Sequence, residues 1–358
     1  METPSARLTS LDALRGLDML IILGVDALVH ALYPLYSSNE FWKLAREPLG
    51  HAPWEGLRLY DCVFPLFVFI SGMAMCFSHL RRMDSPPLRL LAKIWMRAVV
   101  LILLGFFING VISWDLQNMR FASVLGLIGL SGALAGSFTL LCGGRVLPNI
   151  ILAVLVLAGV GCAQYFYGNF TPGGCFNARV DALFCPGVLH SGSYDPEGPF
   201  CILSATALSL LGYSAGRLFL NMENAVLRAL TMLGTGVVLF AAGYFLPVPI
   251  IKGIWTPSFV LCCAGIGAGL MAVLHLVIDV ACLQKWCLPL RVVGLNALAV
   301  YLLVHIVDLQ ALSARALSGT WELFLSSDWQ RVANAAVALL LAWGFCYFLY
   351  RRRVFIKL

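Results

Sequence analysis

Ten apolar stretches run through this 358-residue chain, each about the twenty residues that cross a bilayer as a helix. They lie at roughly 16–37, 59–80, 95–112, 121–141, 148–167, 199–217, 228–246, 255–277, 289–309 and 332–350. The expected fold is therefore all-α, a polytopic membrane protein with about 10 transmembrane helices in one domain over residues 1–358. Composition agrees. The chain is 60% hydrophobic and 12% charged, against about 25% charged for ordinary soluble domains. A soluble enzyme, a disordered chain and a nucleic-acid binder are excluded, because 18 acids and 24 bases cannot cover a soluble surface of this size. The net charge of +6 needs no nucleic acid; basic cytoplasmic loops produce the same excess. The first segment, with the residues just before it, carries Asp12, Arg15, Asp18 and Asp26 and lacks a small-residue cleavage site, so it reads as a permanent helix rather than a signal peptide.

Orientation follows from Lys and Arg in the connections. With the N-terminus in the cytoplasm, 16 of the 24 basic residues fall on the cytoplasmic side and 8 on the other. Both termini are expected inside. Three long connections, at about 38–58, 168–198 and 310–331, then face outward and suggest that the polar chemistry does too. Gly132/Gly136, Gly212/Gly216 and Gly265/Gly269 have the spacing that lets helices approach closely. The twelve Cys sit mostly inside apolar runs as small hydrophobes, and no zinc framework or other metal site is visible. Cys175 and Cys185 share an outer connection, where an oxidising compartment permits a disulfide.

Charges inside spans are expensive and need a partner or a task. Asp12 and Arg15, three apart on one face, read as an ion pair at the cytoplasmic end. Asp18 lies deeper. Asp26 and His30 are four apart near the outer end, a proton-handling arrangement or an interhelical hydrogen bond. His51 and Trp54 stand in the outer connection before Asp61 opens the second span; Trp54 also suits the interfacial belt. Asp195-Pro196-Glu197-Gly198 before the sixth span reads as a helix start with Asp195 as cap; functionally, Asp195 or Glu197 could face a cationic sugar, and Glu197 is the candidate contact. Lys252, Trp255 and Thr256 open the eighth span at the outer surface. Asn296, Tyr301, His305 and Asp308 fall in the ninth, with His305 and Asp308 three apart.

These residues resemble a known family. Arg7-Leu8-x-Ser10-Leu11-Asp12-Ala13-x-Arg15-Gly16, His51-x-x-Trp54-x-Gly56-Leu57 and Asp61-x-Val63-Phe64-Pro65-x-Phe67-Val68-Phe69-Ile70-x-Gly72 are similar to motifs of the heparan-alpha-glucosaminide N-acetyltransferase family of transmembrane acyltransferases. The likeness is to its bacterial branch, which lacks the luminal domain. Later segments agree, including Leu211-Gly212-Tyr213-x-x-Gly216, Lys252-x-x-Trp255-Thr256-x-Ser258-Phe259, Asn296-Ala297-x-x-x-Tyr301 and Tyr350-Arg351-Arg352-Arg353. The resemblance implies transfer of an acetyl group from cytosolic acetyl-CoA to the amine of a terminal glucosamine-type sugar across the membrane. It implies His51 as the active-site histidine, a bacterial inner-membrane location and a homodimer. Two departures stand out. Asp26 occupies the position of a family Asn, and Gly126-Leu127 stands where many members have Gln-Arg.

The expected partners are acetyl-CoA, an amino-sugar or oligosaccharide acceptor and the lipid bilayer. Candidate catalytic residues are His51, Asp26 and Asp61, with His51 as general base or acetyl carrier and Asp26, Asp61 or His30 orienting its other ring nitrogen. Candidate acceptor contacts are Trp54, Glu197, Lys252, Trp255, His30 and His305. For the donor, Arg15, Arg81, Arg82 and Arg351 are candidates for the phosphates, and Asn296 or Tyr301 for the oxyanion. Two rival readings remain: an O-acetyltransferase of a surface polysaccharide, and a proton-coupled secondary transporter.

Overall fold

The computed structural model describes residues 8–80, 86–111 and 118–356. Fifteen α-helices follow one another within them. They are α1 (Thr9–Leu20), α2 (Asp26–Leu32), α3 (Glu40–Arg46), α4 (Leu59–Leu80), α5 (Pro87–Phe106), α6 (Val124–Leu141), α7 (Val146–Tyr167) and α8 (Phe176–Phe184). Then come α9 (Pro199–Leu220), α10 (Ala225–Phe245), α11 (Pro257–Leu274), α12 (Leu288–Leu295), α13 (Ala297–Ile306), α14 (Leu309–Phe324) and α15 (Ser327–Arg351). Among the described residues nine helical segments are long and apolar enough to cross a membrane. The count reaches ten if α12 and α13 are taken as one span. The three long connections carry helices of their own, α3, α8 and α14, so their backbone groups are paired locally.

Two spans are broken, each for a local reason. The first runs Thr9–Tyr36 but passes through a wide turn at Ile21–Val25, where Gly24 has φ +126°. That backbone is cheap only for glycine. The ninth expected span bends by 76° between α12 and α13. Asn296 at the bend leaves the helical region, and its side-chain Oδ1 accepts from the Ile356 N–H at 3.1 Å, pinning the C-terminal segment.

The chain folds as two compact units. One comprises Ala52–Leu57 and Phe64–Leu276. Its centre is α9, which is buried along most of its length and is rich in Ala, Ser and Gly. Small residues let neighbouring backbones come close, which replaces the missing hydrophobic drive between helices in lipid. A Cβ on Gly212 would collide with the Phe69 carbonyl, and one on Gly72 with that of Ser209, so α4 and α9 touch backbone to backbone. The other unit comprises Leu8–His51, Arg58–Val63 and Val277–Leu358. Here α1 lies against α12 in the same manner, Gly16 on the Leu290 carbonyl and Gly294 on that of Asp12. Pro65 inside α4 has no N–H to donate to the carbonyl of Asp61.

Candidate active site

The second unit gathers a histidine, a carboxylate and a tyrosine around the first turn of α4. His51 Nδ1 lies 2.9 Å from Asp61 Oδ1. The Asp61 side chain is 1% exposed, whereas that of His51 is 57% exposed. The other Asp61 oxygen accepts from the Arg58 backbone N–H at 3.2 Å, and the Arg58 guanidinium donates to the His51 carbonyl at 2.9 Å. An ionised carboxylate only accepts, so Nδ1 carries the proton and Nε2 the lone pair. The Tyr60 ring meets the His51 ring at a centroid distance of 4.7 Å and 70°. Of the three residues proposed to orient His51, Asp61 is hydrogen-bonded to its ring. His30 Nδ1 instead donates to the Asp26 backbone carbonyl at 2.8 Å, so the Asp26–His30 pair is a turn of helix and not a carboxylate–imidazole couple. Tyr60 is the residue that sequence reasoning missed; its place beside Asp61 was the available signal.

The remaining candidates sit elsewhere. Trp54, in the first unit, donates Nε1–H to the Phe170 carbonyl at 2.7 Å and packs edge-on against Tyr194 over Ile251, Ile254 and Cys175. The ring is partly buried there and ties the loop to that segment. Trp255 is fully buried between Phe64 and Phe259, so its ring is core and not a platform. Lys252 opens the short turn leading to it. Arg15 pairs with Asp12 at 3.4 Å, as its spacing predicts. His305 is exposed, donates to the Tyr301 carbonyl and stacks on the Tyr301 ring. Asp308 caps α14 through the Ala311 N–H and makes no pair with His305 in that role. Arg351 closes α15 on the surface. Arg81 and Arg82 lie outside the described residues. No group of three or more His, Cys, Asp or Glu among the described residues is placed to hold a metal ion.

Asp195 is not a helix cap. The cap of α9 is Gly198, with Pro199 in the first turn. Asp195 instead accepts a forked pair of bonds from Arg120, one of 2.7 Å, and further bonds from the His190 and Glu197 N–H groups. Glu197 is ion-paired with the same guanidinium. A buried carboxylate in this segment found a cation from another loop, a long-range pairing that local cap rules cannot see. Asp181 stands behind them, buried, with one oxygen accepting from the Asp195 N–H.

Burial, with the nearby Asp195 charge, pushes Asp181 from the usual 3.8 up to about 6. Its folded pKa exceeds its unfolded one, so its stabilising contribution is complete below about pH 4 and is lost as pH rises through about 6. Asp181→Asn keeps an acceptor for Asp195 and removes the ionisation. The variant is expected to melt a few degrees above wild type at pH 7.5 and level with it near pH 4.5. A parallel pair of melting curves across that range would refute the assignment.

Cys175 and Cys185 bracket the intact helix α8, which separates their Cα atoms by about 15 Å at 1.5 Å per residue. That is beyond disulfide reach. Both are free thiols; burial raises Cys175 and pushes Cys185 up to about 11.

The sequence profile described as "Heparan-alpha-glucosaminide N-acetyltransferase, catalytic" matches residues 7–242, which span both the His51–Asp61 pair and the Arg120 cluster. The chain belongs to this family. It is 25% identical to the heparan-alpha-glucosaminide N-acetyltransferase of Homo sapiens over 98% of this chain and 60% of that protein. It is 25% identical to the Mus musculus protein of the same name over 82% of this chain and 53% of that one. The chain thus spans a little over half the length of these relatives. Within the family profile, His51 and Asp61 pair an exposed imidazole with a buried carboxylate, with the Tyr60 ring alongside.

Proposed function

We propose that the protein is a multi-pass membrane acetyltransferase that moves the acetyl group of cytosolic acetyl-CoA to the amine of a glucosamine-type sugar across the bacterial inner membrane. The observation that carries this reading is the pair of His51 and Asp61 inside the matched family region. An ammonium has no lone pair, so the acceptor reaches the site as the neutral amine, having released one proton to solvent. The amine nitrogen attacks the thioester carbonyl, forming the C–N bond as the C–S bond breaks. His51 Nε2 takes the remaining surplus proton from nitrogen and passes it to the departing thiolate, giving amide and CoA thiol. Asp61 stabilises the imidazolium through Nδ1–H without taking the proton. Acyl transfer through His51 itself would use the same nitrogen, and label retained on the protein without acceptor distinguishes that route.

Purified protein in detergent is expected to transfer radiolabelled acetyl from acetyl-CoA to glucosamine, with the label recovered as base-stable amide. Label in a hydroxylamine-sensitive ester would move the acceptor to a sugar hydroxyl. Neither transfer nor acetyl-CoA binding would leave a carrier as the better reading.

A further inference from the structure

We infer that Arg58 is a positioning residue of the active site, its guanidinium holding the backbone of His51 beside the first turn of α4. This role rests on the acetyltransferase reading and deepens it.

Arg58 reaches both members of the His51–Asp61 pair. Its backbone N–H donates to Asp61 Oδ2 at 3.2 Å. Its guanidinium Nη1 donates to the His51 carbonyl at 2.9 Å, across seven residues of sequence. With His51 Nδ1 on Asp61 Oδ1, these contacts close a ring of three hydrogen bonds. The two halves of Arg58 have different requirements. Any residue except proline supplies the backbone N–H, whereas the bond to the His51 carbonyl needs the side chain. Residues 52–57, which join His51 to Arg58, fold with the other unit, so no local turn of this unit links the two. The His51 side chain is more than half open to solvent, so the place of its backbone bears directly on where Nε2 stands.

The guanidinium has a second contact. Its Nη2 lies 3.5 Å from Glu47 Oε1, and that carboxylate is 70% exposed. An ion pair so open to water contributes little. The bond to the carbonyl is shorter and is charge-assisted. A Cβ on Gly50 would stand 3.4 Å from Nη1, so the guanidinium lies along the backbone just before His51. The contact that matters for the chemistry is therefore the one to His51, and Glu47 is secondary.

Misplacing a general base by a fraction of an ångström costs rate and leaves donor affinity alone. Arg58→Ala keeps the backbone N–H and removes the guanidinium. It is expected to lower kcat by about ten- to a hundredfold, with KM for acetyl-CoA within about twofold of wild type. Arg58→Lys is expected to lose at least about fivefold, because one ammonium does not reproduce the fork. Glu47→Gln should stay within about twofold. Millimolar guanidinium is expected to restore part of the Arg58→Ala rate, and sodium chloride at the same ionic strength is not; neither salt should help His51→Ala. An Arg58→Ala enzyme within threefold of wild type, a loss confined to KM, or a loss that guanidinium does not relieve would each overturn the inference. A second readout does not require turnover: diethyl pyrocarbonate modification of His51, followed by mass spectrometry, with the exposed His305 as internal reference. Release of the loop in Arg58→Ala should raise the His51 rate about threefold and leave the His305 rate unchanged. An unchanged His51 rate refutes the positioning role even if wild type proves inactive on glucosamine. Inactivity of wild type with a raised His51 rate would sink the acceptor reading alone. Melting temperatures identify a variant that fails to fold, and Arg58→Lys then carries the same comparisons.

Discussion

Asp61→Asn and His51→Ala are expected to lower acetyl transfer by similar factors, roughly 10²–10⁴ in kcat, for different reasons. The alanine removes the base. The asparagine keeps the shape of the site and inverts the tautomer. The Arg58 N–H donates to one oxygen of Asp61, so an Asn there turns its carbonyl toward Arg58. Its NH2 group then faces His51 Nδ1, which must accept instead of donate. The proton moves to Nε2, the nitrogen that the reaction needs with a lone pair. Steady-state kinetics on the two variants, beside their melting curves, check this. An Asp61→Asn protein within threefold of wild type would remove Asp61 from the mechanism. A His51→Ala protein with wild-type rates would remove the whole site. Donor affinity is expected to stay near wild type in both, since neither side chain is assigned to binding the nucleotide.

What the sequence made legible, and what it hid, divides along the range of the interactions. Spans were readable because twenty apolar residues have few other uses. The Asp12–Arg15 pair was readable because three residues on a helix bring two side chains together. His51 and Asp61 were readable as candidates, ten residues apart around one loop. The Asp26–His30 spacing misled, because an i,i+4 histidine can reach the backbone carbonyl as easily as the side chain. The bend at Asn296 was hidden within a continuous apolar run, since its hydrogen-bond partner lies sixty residues away. Trp255 looked like an acceptor contact at the outer surface, and the fold buries it; Trp54, which suited the interfacial belt, is partly buried against Ile251, Ile254 and Cys175. The Arg120 cluster was least legible of all: the Arg sits in one connection and its carboxylates in another, 75 and 77 residues on.

That cluster gives the largest expected effect on stability. Arg120 is the counter-charge shared by Asp195 and Glu197, and both carboxylates are buried. Arg120→Met preserves most of the side-chain volume and leaves the acids without that cation. Removing one partner of a buried ion pair costs about 3–5 kcal/mol, because the remaining charge has neither water nor a partner. A fall of roughly 5–10 °C in melting temperature at pH 7.5 is the expected result. Acid should shrink it. Protonation neutralises stranded carboxylates, so the deficit of Arg120→Met against wild type is expected to be smaller at pH 5 than at pH 7.5. The backbone around Arg120 sharpens the contrast, since the Asn109 side chain and an isolated bridge to Gly187 hold that loop in place without the guanidinium. A deficit that does not change with pH would mean that packing of the arginine stem, and not its charge, stabilises the loop. A variant as stable as wild type would mean that the Arg120 charge contributes nothing to holding Asp195 and Glu197 in place.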